Sequence, residues 1–178
     1  MALIGLDFDN TLVCYDDLFH QLAIEKQLID PSISTNKVAI RDHLRSKGLD
    51  HEFTLLQGEA YGSRILEAKP AKGMLEALRE LRLQGLYMTL VSHKTRTPYA
   101  GPAYNLHAYA MKWLEHYDFF SVKGLNWKEN QVFFEESKAA KVARITSLNC
   151  KYYIDDLPEI LDMLPKGITG ILYSPNSK

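Results

Sequence analysis

The chain has 178 residues and carries 21 Lys and Arg against 22 Asp and Glu, which gives a formal net charge of −1. Hydrophobic residues make up 46% of the sequence and charged residues 24%, an average composition for a globular protein that argues against disorder. Because the charges balance, the sequence lacks the broad basic surface of proteins that bind nucleic acid non-specifically, and we expect no nucleic-acid partner.

Cysteine content and targeting signals exclude further classes of protein. The two cysteines, Cys14 and Cys150, are too few for a disulfide framework, and neither lies in a pattern with zinc-ligand spacing. No apolar run reaches the length of about 18 residues that a transmembrane helix needs. The N-terminus also has no basic segment of the signal-peptide type. We therefore expect a cytoplasmic protein with no membrane partner, whose oligomeric state the sequence does not predict.

Strands and helices alternate along much of the chain. The opening apolar run 2–6 ends abruptly at Asp7, which is typical of a strand buried on both faces in a parallel sheet. Ser137 and Asn149 have the residue types that begin and end a helix. The predicted core elements are, in chain order, strand 2–6, helix 74–84, strand 86–91, helix 138–148, strand 152–154, helix 158–164 and strand 169–173. This order predicts an α/β fold with a doubly wound parallel sheet.

One long insertion interrupts the alternation after the first strand. Residues 15–69 are too long for a simple crossover and predict three helices with no strand between them. We interpret them as a small helical cap, inserted into a core formed by residues 1–14 and 70–178.

A second irregular stretch covers residues 93–136. It begins with a polar loop and predicts a helix over 104–117, followed by a strand over 119–122. Residues 126–136 fit a hairpin or an irregular excursion, and the sequence does not choose between them.

Polar side chains follow three of the predicted strands. Asp7 and Asp9 come after the first strand, Ser92 after strand 86–91, and Asp155 with Asp156 after strand 152–154. The carboxyl ends of parallel strands lie at one edge of the sheet, so these side chains should converge there. Four converging carboxylates repel one another strongly unless a cation is present, and all-oxygen ligands suit Mg²⁺. The alternative interpretation is that these aspartates only form turns and cap helices.

A basic residue completes the predicted site. Lys138 lies at the first position of the helix after Ser137, at the helix end that points to the same edge of the sheet. A cation there opposes the helix dipole, and an anionic group nearby would offset that cost. Lys141 competes for the same role. Because it lies almost one turn further from the edge, we favour Lys138 and expect Lys141 on the solvated surface.

These motifs resemble those of the haloacid dehalogenase (HAD) superfamily. Residues 7–11, DFDNT, look like its DxDxT motif, while Ser92, Lys138 and the acidic pair 155–156 resemble its second, third and fourth motifs in the same order. The resemblance implies a doubly wound sheet with the nucleophile-bearing strand near its centre. It also implies that residues 15–69 form a small helical cap of the C1 type.

The resemblance also implies a role for each motif residue. Asp7 would attack phosphorus to form an aspartyl-phosphate, and Asp9 would protonate the leaving oxygen and later take a proton from water. Thr11 would orient Asp7 by a hydrogen bond or only cap the turn. The implied phosphate-binding residues are Asn10, Thr11, Ser92 and Lys138, with backbone N–H groups of the turn 9–11. The implied Mg²⁺ ligands are Asp7, Asp9 through its backbone carbonyl, Asp156, and Asp155 directly or through water.

Two features of the motifs refine the resemblance. An acid at position 9 points to hydrolysis of phosphate esters, because members that cleave carbon–halogen or carbon–phosphorus bonds have no such oxygen leaving group to protonate. Asp155 stands where many members have glycine. Glu159 either serves as an outer-shell metal ligand or only occupies the first turn of a helix, where acids are favoured.

Residues near the motifs are weaker candidates for substrate contacts. Tyr15 and Asp16 could contact the leaving group or only begin the insertion. Lys94 and Arg96 could bind a second anionic group of the substrate, or form a solvated basic loop. His93 could touch the substrate or be structural.

We therefore predict a Mg²⁺-dependent phosphatase that acts on a small phosphorylated metabolite. One alternative is a phosphoryl transferase of the same fold, which passes the phosphoryl group from aspartate to an alcohol. The other is a non-enzymatic, receiver-like phospho-acceptor domain. Receivers place the acceptor aspartate on their third strand and have no helical insertion, so the motif order favours the enzyme.

Overall fold

The computed structural model describes residues 2–175, which contain seven strands and seven α-helices. The strands are β1 Leu3–Leu6, β2 Val13–Cys14, β3 Lys69–Pro70, β4 Tyr87–His93, β5 Val132–Glu135, β6 Tyr152–Asp155 and β7 Thr169–Leu172. The helices are α1 Asp16–Glu25, α2 Lys37–Ser46, α3 Asp50–Tyr61, α4 Met74–Leu83, α5 Leu106–His116, α6 Lys138–Ser147 and α7 Pro158–Asp162. Among these residues no helix is both long enough and apolar enough to span a membrane.

Five strands form one parallel sheet in the order β5-β4-β1-β6-β7. Strand β1 lies at its centre, where Leu6 pairs with Leu90 of β4 and with Ile154 of β6. The doubly wound parallel sheet with a central first strand is therefore confirmed. Because all five strands run the same way, their carboxyl ends share one edge.

The chain divides into two compact units. The core unit contains the sheet and consists of the residues up to 13, residues 70–95 and the residues from 117 onward. The helical unit consists of residues 14–69 and 96–116. Residues 96–116 were expected in the core, so the helical unit of the structure is larger than the predicted cap.

Packing within the helical unit explains the placement of residues 96–116. Helix α5 carries Trp113, a fully buried side chain whose Nε1 donates a hydrogen bond to the carbonyl of Ala68 at 2.8 Å. Two glycines, one within α3 and one directly after it, lie close to residues 96–116. A Cβ added at Gly62 would lie 2.6 Å from the ring of Tyr104, and one added at Gly58 would lie 3.2 Å from Pro98. This close packing ties α5 to α3, which the order of elements along the chain does not reveal.

The core unit packs closely around Tyr153 of β6. Tyr153 belongs to a buried cluster with Val91, Ile145, Cys150 and Ile160. Its hydroxyl donates a hydrogen bond to the carbonyl of Val91 at 2.5 Å. The paired residue on β1 is Gly5, where an added Cβ would lie 2.6 Å from the Tyr153 ring. The glycine in β1 thus provides the space for a tyrosine in the centre of the sheet.

The predicted strand over residues 119–122 is wrong. Those residues lie in a loop, and the edge strand of the sheet is β5 within the range that the sequence left open. The loop buries Phe119 and Trp127, and it closes through a hydrogen bond from the Trp127 amide to the Phe119 carbonyl. Asp118 and Asn126 take the left-handed conformation, with φ of 62° and 53°. Turns at both ends of a short apolar run therefore replace the strand.

Candidate active site

The carboxyl ends of the three central strands bring the polar motif residues together. Asp7 directly follows β1, and its amide continues the sheet by donating to the Ile154 carbonyl at 2.9 Å. Ser92 lies near the end of β4 and its hydroxyl donates to Asp7 Oδ1 at 2.9 Å. Asp155 is the last residue of β6. All three side chains are buried, so their contacts are held by the sheet rather than by mobile loops.

Lys141, not Lys138, lies among these carboxylates. Its Nζ donates to Asp7 Oδ1 and to Asp155 Oδ2, both at 2.6 Å, and the residue is only 1% exposed. The expectation that Lys141 lies on the solvated surface is therefore wrong. Lys138 is partly exposed, and its Nζ lies 2.5 Å from an oxygen of Glu159.

The direction of helical side chains explains why Lys141 reaches the site. Helix α6 begins as predicted, with the Ser137 hydroxyl accepting from the Ala140 amide at 3.1 Å. Side chains on a helix point back toward its N-terminus, so a long lysine one turn inside the helix can reach the strand ends. Lys141 also lies one turn before the buried Ile145, on the inward face of α6. Comparing only the positions of the Cα atoms therefore misplaced Lys141 on the surface.

Three aspartates form a group that could hold a metal ion. Asp7, Asp155 and Asp156 each offer a carboxylate oxygen, and these oxygens all lie within 4.8 Å of one another. A set of carboxylate oxygens is the donor type that suits a hard divalent cation such as Mg²⁺. Asp155 is further oriented by the Leu157 amide, which donates to its Oδ1 at 2.9 Å. Glu159 is outside this group and pairs with Lys138 instead.

The surroundings of Asp7 shift its protonation. Burial raises the pKa of Asp7 to about 7, and the negative charges of Asp155 and Asp9 add to that effect while Lys141 opposes it. Burial also acts to lower the pKa of Lys141, but Asp7 and Asp155 raise it above the ordinary value, so its ammonium group stays charged. The site thus places one fixed positive charge between two carboxylates.

A second buried lysine contacts the other aspartate of the first motif. Lys94 Nζ lies 2.7 Å and 3.0 Å from the two carboxylate oxygens of Asp9, and 5.4 Å from the centre of the Phe8 ring. The Lys94 amide donates to the Glu135 carbonyl of β5 at 2.9 Å. Because the lysine side chain is only 2% exposed, the interpretation of this segment as a solvated basic loop does not hold for Lys94.

The turn after β1 differs in detail from the expectation. Asn10 takes the left-handed conformation with φ of 62°, which Asn tolerates better than most residues. The Thr11 amide donates to the Phe8 carbonyl at 3.4 Å. The Thr11 hydroxyl is buried and makes no hydrogen bond within residues 2–175, so it neither bonds to Asp7 nor caps the turn, the two alternatives for this residue. His93 ends β4, and partial burial lowers its pKa.

Comparisons with known proteins bear on the fold. No protein-family model matches the chain, and no curated protein matches its sequence. Solved structures do match. A HAD-superfamily hydrolase from Ehrlichia chaffeensis is 17% identical with a TM-score of 0.53, covering 97% of this chain and 87% of that one. A family IA, variant 3 HAD hydrolase from Entamoeba histolytica is 14% identical with a TM-score of 0.55, covering 100% and 86%. A hydrolase from Streptococcus pneumoniae is 13% identical with a TM-score of 0.56, covering 97% and 92%.

The chain has the HAD-like fold. The order of the strands, the central position of β1 and the similarity to several solved HAD hydrolases agree on this point. The resemblance drawn from the DFDNT motif and its partners is thereby confirmed at the level of fold. At these sequence identities the similarity establishes the architecture, and the chemistry has to be argued from the residues themselves.

Three of the candidate substrate contacts belong to the helical unit of this HAD-like chain. Tyr15 is buried, and its ring packs against those of Phe19 and Tyr61. Asp16 accepts a hydrogen bond from the Lys37 amide at 2.8 Å. Arg96 opens the second segment of the same unit. The proposed substrate contacts of these three residues stay predictions.

The sequence did not predict that Lys94 and Tyr153, both in the HAD-like core, lie beside the residues of the candidate site. Lys94 was expected to be a substrate contact or part of a solvated loop, and Tyr153 only part of a strand. The two-residue period of a strand carries the signal for both. Lys94 follows Ser92 by two residues, and Tyr153 precedes Asp155 by two, so each shares a face with a motif residue. Lys141 Nζ lies 5.6 Å from the centre of the Tyr153 ring.

Proposed function

We propose that this chain is a Mg²⁺-dependent phosphatase that hydrolyses a small phosphorylated metabolite through an aspartyl-phosphate on Asp7. The observation that carries the proposal is the position of the Asp7 carboxylate. It accepts hydrogen bonds from Ser92 and Lys141, and it lies in a group of three aspartates suited to a divalent cation. A nucleophile, a cation for the phosphoryl oxygens and metal ligands thus meet at one edge of the sheet.

The first step is a displacement at phosphorus. An oxygen of Asp7 forms a bond to phosphorus as the bond from phosphorus to the ester oxygen breaks, and a proton from Asp9 neutralises the departing alkoxide. The Asp7 carboxylate needs no activating base, unlike a serine hydroxyl, because its ionised form already carries the reactive electron pair. Lys141 and Ser92 bind the phosphoryl oxygens and stabilise the negative charge on them in the transition state.

The second step releases phosphate. Asp9, now ionised, takes a proton from a water molecule whose oxygen attacks the phosphorus of the aspartyl-phosphate. The bond between phosphorus and the Asp7 oxygen breaks, which returns Asp7 as a carboxylate and gives inorganic phosphate. One residue therefore acts as acid in the first step and as base in the second.

The metal ion would be held by Asp7, Asp155 and Asp156, with the backbone carbonyl of Asp9 as a further candidate ligand. When bound, Mg²⁺ would reduce the repulsion between the Asp7 carboxylate and the phosphate dianion. The donor set fits this ion because it consists of carboxylate oxygens and contains no thiolate or imidazole. A cytoplasmic location and a small-molecule substrate belong to the same proposal.

A panel of phosphorylated metabolites, together with p-nitrophenyl phosphate, tests the proposal with and without Mg²⁺. We expect Mg²⁺-dependent phosphate release that Asp7→Asn abolishes. Asp9→Asn should slow turnover of alkyl phosphates more than that of the aryl ester, whose leaving group needs less protonation. Asp162→Asn, which changes an exposed aspartate at the end of α7, is the matched control and should keep wild-type turnover.

Substantial activity of Asp7→Asn would contradict the assignment of the nucleophile. Adding acceptor alcohols and analysing the products separates hydrolysis from phosphoryl transfer. A new phosphate ester would show the transferase, and inorganic phosphate alone the phosphatase. A chain that accepts a single phosphoryl group without turnover would instead support the receiver-like alternative.

A further inference from the structure

Each aspartate of the DFDNT motif has its own buried lysine. Lys141 contacts Asp7, and Lys94 contacts Asp9 with 2.7 Å and 3.0 Å from its Nζ to the two carboxylate oxygens. The proposed function uses Lys141 as the cation for the phosphoryl oxygens, whereas it gives Lys94 no role. A buried lysine is costly unless it is paired, so its presence at the site calls for a role.

We propose that Lys94 is a positioning residue, which holds the Asp9 carboxyl group in one orientation for proton transfer, through both oxygens when the group is ionised and through one oxygen when the other carries the proton. The inference rests on the proposed function, because it concerns the residue that serves there as acid and base. Contact with both oxygens restricts rotation about the last side-chain bond of Asp9 as well as its displacement. A single contact to one oxygen would leave that rotation free.

Lys94 is itself fixed from several directions. Its backbone amide is bound to the Glu135 carbonyl of β5 at 2.9 Å, directly beyond the end of β4. Its ammonium group lies 5.4 Å from the centre of the Phe8 ring, and that ring packs edge-on against Phe134 with 6.0 Å between ring centres. Because Lys94 is fixed by its contacts with the sheet, it can restrict the motion of the Asp9 carboxylate, which lies on a turn.

The same contacts argue against a primary role in substrate binding. A lysine that captures a second anionic group should present its ammonium group to solvent before the substrate arrives. The Lys94 side chain is 2% exposed, while that of Asp9 is 19% exposed. The carboxylate, and not the ammonium group, is therefore the accessible member of the pair.

Loss of Lys94 should reduce the rate of proton transfer more than substrate affinity. A displacement of about 1 Å in a catalytic group can lower turnover roughly a hundredfold. We expect Lys94→Met to lower kcat for an alkyl phosphate by about a hundredfold and for p-nitrophenyl phosphate by about tenfold or less, with little change in KM for either. Lys166→Met, at an exposed lysine of the core unit, is the matched control and should leave both constants unchanged.

Crystal structures of the wild-type chain and Lys94→Met supply a readout that needs no activity. We expect the Asp9 carboxylate of the variant to move by about 1 Å or more, or to occupy several orientations. Lys94→Gln keeps an amide NH2 group as a hydrogen-bond donor, and it should retain more of the orientation and of the turnover than Lys94→Met. It also replaces Lys94→Met if that variant does not fold.

An unmoved Asp9 carboxylate in the variant would overturn the positioning role, whatever the activity. A rise in KM confined to substrates with a second anionic group, at unchanged kcat, would also overturn it and would assign Lys94 to substrate binding. If the wild-type chain hydrolyses no phosphate ester, the proposed function fails, while the crystal structures still decide whether Lys94 positions Asp9.

Discussion

Lys138 and Lys141 are three residues apart on α6 but have opposite surroundings. Lys141 is buried between Asp7 and Asp155, whereas Lys138 is partly exposed beside Glu159. We expect Lys141→Met to lower kcat by at least about a hundredfold, the usual effect of removing a group that stabilises charge in the transition state. Lys138→Met should retain most of the turnover.

Steady-state kinetics of the two variants, with far-ultraviolet circular dichroism to verify folding, make the comparison. Greater loss in Lys138→Met than in Lys141→Met would restore the assignment that the position along the helix suggested. The convergence of the aspartates and Ser92 at one edge of the sheet could be predicted from the sequence, because each of them follows a predicted strand. Which lysine lies among the aspartates could not be predicted, because that depends on the length and direction of the side chain.

Metal binding and protonation should compete at Asp7. Burial raises the pKa of Asp7 to about 7 from an ordinary value of 3.8. Between about pH 4 and pH 7, Asp7 is therefore protonated in the folded chain but ionised in the unfolded chain. This group's contribution to stability is complete below about pH 4 and is lost as the pH rises through 7. Mg²⁺ binds the ionised carboxylate, so its stabilising effect should grow over the same range.

Thermal unfolding with and without Mg²⁺ at several pH values tests this linkage. The increase in Tm caused by Mg²⁺ should be larger at about pH 8 than at about pH 5, by a few degrees. Asp7→Asn removes both the titration and a ligand, and it should show a small increase with no such trend. An equal increase at both pH values in the wild-type chain would contradict the linkage.

At the scale of elements, the packing of β1 against β6 requires a glycine at position 5. A Cβ at Gly5 would lie 2.6 Å from the Tyr153 ring and 3.1 Å from Cys150 Sγ. Tyr153 cannot easily move, because its hydroxyl is bound to the Val91 carbonyl and its ring is buried. We expect Gly5→Ala to lower the free energy of unfolding by about 1–3 kcal/mol, the usual cost of overpacking a core.

Urea denaturation measures the effect, with Gly170→Ala as the matched control in the edge strand β7. An added Cβ there would lie 3.2 Å from the Leu161 side chain, so the cost should be less than about 1 kcal/mol. Equal stabilities of Gly5→Ala and wild type would show that the sheet yields around Tyr153.

Elements with a strong local signal could be predicted from the sequence, and those shaped by distant contacts could not. Helix α6 begins directly after its N-cap Ser137 and is followed by Asn149 with φ of 54°, as expected from residues that act locally. The run 119–122 has strand-like composition, but the burial of Phe119 and Trp127 turns it into a closed loop. Strand β4 also continues to His93, beyond its predicted end at 91.

At the scale of the whole molecule, the alternation of elements predicted the parallel sheet and the insertion after its first strand. The extent of the helical unit could not be predicted, because residues 96–116 join it through packing on α3 rather than through sequence adjacency. The site resides in the core unit, where strand ends far apart in the chain meet at one edge. The meeting of the motif aspartates and Ser92 at this edge was therefore easier to predict than the boundary between the units.

The central claim is that Asp7 becomes phosphorylated during turnover. Quenching the reaction in the steady state and reducing the acyl phosphate with borohydride should convert the modified aspartate to homoserine, which peptide mass spectrometry can locate. We predict homoserine at position 7, formed only when both a phosphate ester and Mg²⁺ are present. Turnover without any conversion at position 7, or conversion at another aspartate, would contradict the account.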